Sequence, residues 1–182
     1  MSTLPSPTQV VDFWIQAGPE KWFTKNDQFD ADFKALCLDA HYAAARRELD
    51  SWMQTPEGAL ALILLLDQLP RNAFRNTGHM FATDGLGLMF AYEAIDKGFD
   101  QEVAPDLRPF ILMPLMHSEA MADQDRLLEL LNPETEANTH RFAVIHRDII
   151  VEFGRYPHRN DSLGRKTTPA EAEFLSGDNF KG

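Results

Sequence analysis

The sequence predicts an all-α fold of about seven or eight helices arranged as antiparallel pairs. Three observations lead there. Ser/Thr-Pro pairs recur where helices would begin, at Ser6-Pro7, Thr55-Pro56 and Thr168-Pro169. Between them, apolar residues return every three or four positions, the period of a helix with one buried face. No stretch sustains apolar–polar alternation bounded by hairpin turns, so no sheet is expected.

Each helix has its own local reasons. Ser6 caps the first, Pro7 takes its first position and Gln9 completes a capping box. Val10, Val11, Phe13 and Trp14 come next, and Gly18-Pro19 ends it. Asn26 or Asp27 caps a second, longer helix, along which Phe29, Phe33, Leu36, Cys37, Ala40, Ala43 and Ala44 keep helical spacing up to Trp52. Thr55-Pro56-Glu57 opens a third. Its run Ala59 to Leu66 is apolar on every side, as in a helix packed all round, and Pro70 is expected to stop it. Asp84 caps the next, through Leu86, Met89, Phe90 and Ile95, with Gly98 as a left-handed stop. Pro105, Pro109 and Pro114 are expected to break up the stretch after Gly98. Ser118 to Leu131 and Pro133 to Phe153 read as two further helices, the second ended by Gly154. Thr168-Pro169-Ala170-Glu171 is a capping box for a short last helix through Phe174 and Leu175. No fixed-period repeat is visible.

Length and composition set the bounds. At 182 residues, 44% apolar and 25% charged, residues 1–182 read as one globular domain able to bury a core. The net charge of −11 repels nucleic acid and anionic membrane, so neither is an expected partner. A single cysteine, Cys37, excludes an internal disulfide framework and suits a reducing cytoplasm. Met1 to Gln9 holds no basic region followed by an apolar run, so no signal peptide is expected. The longest apolar run is far shorter than the roughly 20 residues of a membrane span. Oligomeric state is not legible.

The charge is uneven. From Arg141 to Lys166 there are six basic and three acidic residues, a local positive zone on an acidic chain. Its centre is the loop 154–167, within the run Phe153-Gly-Arg-Tyr-Pro-His-Arg-Asn-Asp-Ser-Leu-Gly-Arg165, placed before the last helix. An earlier stretch, Asp67-Gln-Leu-Pro-Arg-Asn72, echoes its order of acid, Pro, Arg and Asn at the end of an apolar helix.

Motifs along nearly the whole chain resemble a bacterial family, domain of unknown function 924. They are Asp12-Phe13-Trp14, Trp22-Phe23, Leu64 to Asn72, Phe81 to Asp84, Met113-Pro114-Leu-Met-His117-Ser118-Glu119, Asp123-Gln124, His146 to Ile150, Phe153 to Asn160, Leu163-Gly164-Arg165 and Glu171 to Leu175. The chain departs from the family's pattern at Tyr156, where Phe is usual. The resemblance implies an all-helical fold like that of tetratricopeptide-repeat (TPR) proteins. It implies no activity, since none is assigned to the family.

The residues themselves suggest where chemistry would sit. Asp67 lies near the end of an apolar helix, where a lone carboxylate opposes the helix dipole and is costly to bury. Arg71 and Arg75 are its near partners, as Arg155 is for Glu152. Each arginine would tie its acid. Arginine also presents a planar fork to carboxylate or phosphate. The expected ligand-binding set is therefore Asp67, Arg71, Asn72, Arg155, His158, Arg159, Asn160 and Arg165. His117, Glu119 and His146 are candidate acid–base groups, histidine titrating near neutrality.

His117, Glu119 and Asp123 admit a mixed metal site, but no HExxH accompanies them, and Ser118 reads equally well as an N-cap. No metal or cofactor is expected. Cys37 and His41 share a helix face without a third orienting group, so Cys37 reads as a small buried hydrophobe. Gly85-Leu-Gly87 follows no strand and is no dinucleotide loop. There is no GxSxG and no Walker A.

The leading expectation is a helical module whose Arg/His-lined pocket binds a small anion, a carboxylate or an acidic peptide. The second is an enzyme on a small anionic substrate, with His117, His146 or His158 and Glu119 moving protons. The third is purely structural, every arginine being neutralised by acids of the chain.

Overall fold

The capping boxes form as the sequence implies. In the computed structural model, which describes residues 4–177, Ser6 Oγ accepts the Gln9 N–H at 3.2 Å and Gln9 Oε1 accepts the Ser6 N–H at 2.9 Å. This opens α1 (Pro7–Ala17). Met1, Ser2 and Thr3, on which the reading of the N-terminus partly falls, lie outside the described residues. The order continues with α2 (Pro19–Trp22), α3 (Asp27–Ala45), α4 (residues 56–73), α5 (Asp84–Asp96), α6 (Arg108–His117), α7 (Met121–Leu130), α8 (Ala137–Phe153) and α9 (Pro169–Ser176). The fold is all-α, with no strand among the described residues. Eight of these helices have seven residues or more, matching the expected number. The additional one, α2, is a single turn. No helix among the described residues is long and apolar enough to cross a membrane.

The chain divides into two compact units. The first runs to Arg75 and includes His79–Pro114; the second takes Asn76–Gly78 and the chain from Leu115 onward.

In the first unit α4 is the central helix. Ala59 to Leu66 are all at most 1% exposed, so the run is packed on every side. Burying each large aliphatic side chain contributes about 1.5–3 kcal/mol. Residue 58 must be glycine, since a Cβ there would overlap the Trp52 carbonyl of the turn Asp50–Gln54.

Pro70 does not stop this helix. It has no N–H to offer, and the helix widens instead. Pro56–Ile63 is α-helical, Leu64–Gln68 is a π turn, and Leu69–Ala73 is α-helical again. The Leu69 N–H bonds Leu64 O, five residues back. The Leu65 and Leu66 carbonyls are then met by side chains. His41 Nδ1 donates to Leu65 O at 2.9 Å, and Thr83 Oγ1 donates to Leu66 O at 2.5 Å. Asp67 thus lies inside a helix, not in its last turn.

Other expectations shift: α3 ends at Ala45, short of Trp52, and α8 begins at Ala137, not at Pro133. Pro109 and Pro114 lie within α6 and do not break it. Proline suits a first turn, and the single donor lost at Pro114 is outweighed by burial of Phe110, Ile111, Leu112 and Leu115. Helix α7 starts three residues late, because Ser118 Oγ accepts the Ala120 N–H in an extended turn.

In the second unit α7 and α8 pack together. Ile149, Ile150 and Tyr156 form the core, with Met121, Ile145, Phe153 and Phe174 against them. Gly154 ends α8 at φ 67°, the left-handed conformation that turns the chain into the basic loop. Thr168 and Glu171 close the last capping box, at the start of α9.

Candidate functional site

The predicted residues fall into two polar clusters, one in each unit. In the first, Asp67 is fully buried. Gln68 Nε2 donates to Asp67 Oδ2 at 2.6 Å, and Arg71 Nη1 lies 3.3 Å from Asp67 Oδ1. The Arg71 fork closes on Asp84, at 2.8 and 3.0 Å, and also donates to the Asp67 carbonyl at 2.7 Å. Asp84 therefore serves as an ion-pair partner, while Thr83 occupies the N-cap position. Arg75 goes to Asp30, not Asp67. Asn72 lies half-buried in the last turn of α4.

The second cluster is built around Tyr156. Its hydroxyl donates to Met116 O at 2.6 Å and accepts from Gln124 Nε2 at 2.9 Å, which anchors the ring. His146 meets the ring edge-on, with centroids 5.7 Å apart. His158 stacks on it at 5.5 Å, and the Arg159 guanidinium lies over it at 4.5 Å. Loop and core meet at this one side chain.

Arg155 and Arg165 each close a fork on an acid distant in sequence. Arg155 takes Glu171 at 2.6 and 2.9 Å. Arg165 takes Glu119 at 2.8 and 2.9 Å, and Glu119 Oε1 also accepts the Tyr156 N–H. The expected Glu152–Arg155 pair is replaced by Arg155–Glu171. Glu152 is exposed on α8, the helical rotation carrying it toward solvent.

These neighbours set the protonation states. Burial raises the pKa of Glu119, but the Arg165 fork and the Tyr156 N–H outweigh it, and the balance lies below the ordinary value. Arg155 above all, then the Thr168 N–H, hold Glu171 down to about 2. Burial, followed by the nearby Arg159 and His146, pushes His158 down to about 4, so its ring is neutral at pH 7. His146 Nδ1 donates to the Phe142 carbonyl, one helical turn back. Asp123 takes the Ser118 hydroxyl. Among the described residues no three His, Cys, Asp or Glu side chains converge as a three-ligand metal site requires.

His158 Nδ1 and Asn160 Oδ1 are among the buried atoms of the loop that have no hydrogen-bond partner among the described residues. Asn160 is 1% exposed, and its amide nitrogen donates to Thr167. Elsewhere, a surface cleft of about 430 Å³ in the first unit is lined by Leu4, Pro5, Ala31, Lys34, Leu36 and neighbouring residues of α3. It includes none of the predicted site residues. Sequence reading missed three participants. Gln124 and Thr83 stood only inside family motifs, with no role attached to them, and Tyr156 stood out only as a departure from the family pattern.

Fold and site define an all-helical protein with a buried acid–arginine cluster in each of two units. The family model described as "Bacterial protein of unknown function (DUF924)" matches residues 10–179, and the chain belongs to that family. It is also similar to a solved structure, that of a protein of unknown function from Agrobacterium tumefaciens. The two share 51% identity and a TM-score of 0.90, over 94% of this chain and 97% of that one. No curated protein matches the chain.

Proposed function

We propose that the loop 154–167 binds a small anionic molecule, a carboxylate or phosphate, at His158, Arg159 and Asn160 beside Tyr156. The observation that carries this reading is the buried His158 Nδ1, which has no hydrogen-bond partner among the described residues. A buried polar atom without a partner costs about 1–3 kcal/mol, and such atoms in native proteins call for a partner from outside the chain. A neutral histidine donates through either ring nitrogen, so it serves an anion without carrying charge beforehand. Arg159, buried as a residue at 6% exposure, supplies positive charge where water is largely excluded. Asn160 Oδ1 accepts only, and so favours a ligand bearing a hydroxyl or amino group beside its acid.

The first cluster is left out of this reading, because Arg71 is engaged by Asp84 and Asp67. A catalytic role for His117, Glu119 and His146 draws less support. Glu119 is held ionised by the Arg165 fork, and His146 spends Nδ1 on a backbone carbonyl. The structural reading has one observation in its favour, the closed forks of Arg155 and Arg165.

Titration calorimetry with phosphate, simple and hydroxylated dicarboxylates and an acidic peptide separates these readings. The binding reading expects a ligand whose affinity drops at least about tenfold in a His158→Ala, Arg159→Ala double variant, the loss of about 1.4 kcal/mol or more. Heat from none of the ligands, or equal affinity in that variant, leaves the structural reading.

A further inference from the structure

A different pair of side chains stands apart from that proposal. His41 is fully buried on α3, and His79 is half-buried in the short turn Gly78–Phe81. Their Nε2 atoms are 3.3 Å apart. A carbonyl only accepts, so His41 must carry its proton on Nδ1 to meet Leu65 O. That fixes the His41 Nε2 lone pair toward His79. The acceptor is one of the two carbonyls left over by the π turn, so Pro70 ultimately sets this tautomer. His79 is held in plane by Phe74, stacked at 3.8 Å and 14°, and Tyr42 packs against it edge-on at 6.0 Å.

We propose that His41 and His79 form a two-nitrogen site for a divalent transition metal of the zinc–copper class, with water or a small ligand filling the remaining positions. Two nitrogens each about 2.0–2.1 Å from one tetrahedral ion stand roughly 3.3–3.4 Å apart, which is the spacing here. Hydrogen bonds from N–H prefer about 2.9–3.0 Å. Metal-bound histidines characteristically donate their other ring N–H to a carbonyl, the role Leu65 O already plays for His41.

Loading the site requires His79 to give up its Nε2 proton and carry its one ring proton on Nδ1, a tautomer change that leaves both rings neutral. Burial, and then His79, keep His41 below the ordinary histidine pKa against the raising effect of the Leu65 bond, so its lone pair is available at neutral pH. An imidazole-only donor set favours zinc, copper, nickel or cobalt over magnesium or calcium. Cys37 lies one turn earlier on α3, but burial pushes its thiol up to about 12, and it adds no thiolate. The protein thus supplies two ligands, and the ion's other positions stay exchangeable.

The test uses untagged full-length protein, stripped with a chelator and titrated with cobalt(II) or zinc(II) alone, at about pH 7.5 and about pH 5.5. One equivalent is expected at the higher pH, with cobalt giving visible absorption bands. Affinity should fall roughly tenfold or more at the lower pH and in His79→Ala, and stay unchanged in His140→Ala. His41 also holds a buried carbonyl, so His79→Ala, at the half-buried partner, carries the test. Ring-nitrogen NMR adds a second reading, since zinc should shift both Nε2 resonances. Failure of the wild type to bind one equivalent, or equal affinity in His79→Ala, overturns the proposal.

Discussion

His158 shows how one side chain turns packing into pH dependence. In an unfolded chain a histidine protonates near about pH 6.5. In the fold His158 does so only near about 4, because burial and Arg159 oppose its charge. Between those values the unfolded state binds the extra proton. Stability from this group is therefore fully present above about pH 6.5 and is lost as pH falls toward about 4. Urea midpoints across that range should fall with pH in the wild type and fall less steeply in His158→Gln. Glu171 acts lower on the scale. Its folded pKa of about 2 lies below an ordinary glutamate's, so its contribution is present above roughly pH 4.3 and lost as pH drops through about 2. Glu171→Gln should flatten the acid limb of the same curve.

At the scale of elements, α4 carries the clearest consequence of a single residue. Pro70 removes one donor, the helix widens into a π turn, and two carbonyls pass to His41 and Thr83. Thr83→Val keeps the shape and removes the hydroxyl, leaving Leu66 O buried without that donor. We expect a loss of about 1–3 kcal/mol, read from urea unfolding. Wild-type stability in that variant would mean the hydroxyl does not serve the carbonyl.

The element scale also marks how far the sequence could be read. Caps at Ser6, Thr55 and Thr168, and the stops at Gly98 and Gly154, were legible because each depends on contacts within four residues. The buried run Ala59 to Leu66 was legible from composition alone. The π turn was not, since it depends on whether distant side chains can take up the released carbonyls. Arg155 was matched to its near neighbour Glu152, yet its partner is 16 residues away; for Arg165 and Glu119 the separation is 46. Pairing at such distances arises from how helices pack, which spacing along the chain does not encode.

At the scale of the whole molecule, a chain of net charge −11 still gathers three arginines into one short loop. Two of them close forks on buried or half-buried acids, and Arg71 does the same in the first unit. These links cost more to break than to have formed. Arg71→Ala would leave the fully buried Asp67 without its cation, for an expected loss of about 3–5 kcal/mol in unfolding experiments. A loss under about 1 kcal/mol would show that the other partners of Asp67 suffice without Arg71.

The central claim is that the basic loop receives an anion at His158. A bound anion favours the charged ring, so it must raise the pKa of His158 from its low value. The direct measurement is a pH titration of the His158 ring by nitrogen-15 NMR, free and with the tightest ligand from calorimetry at saturation. A midpoint near about 4 is predicted in the free protein, with a clear upward move on binding. A midpoint that does not move while the ligand is bound would place the anion elsewhere and contradict the claim.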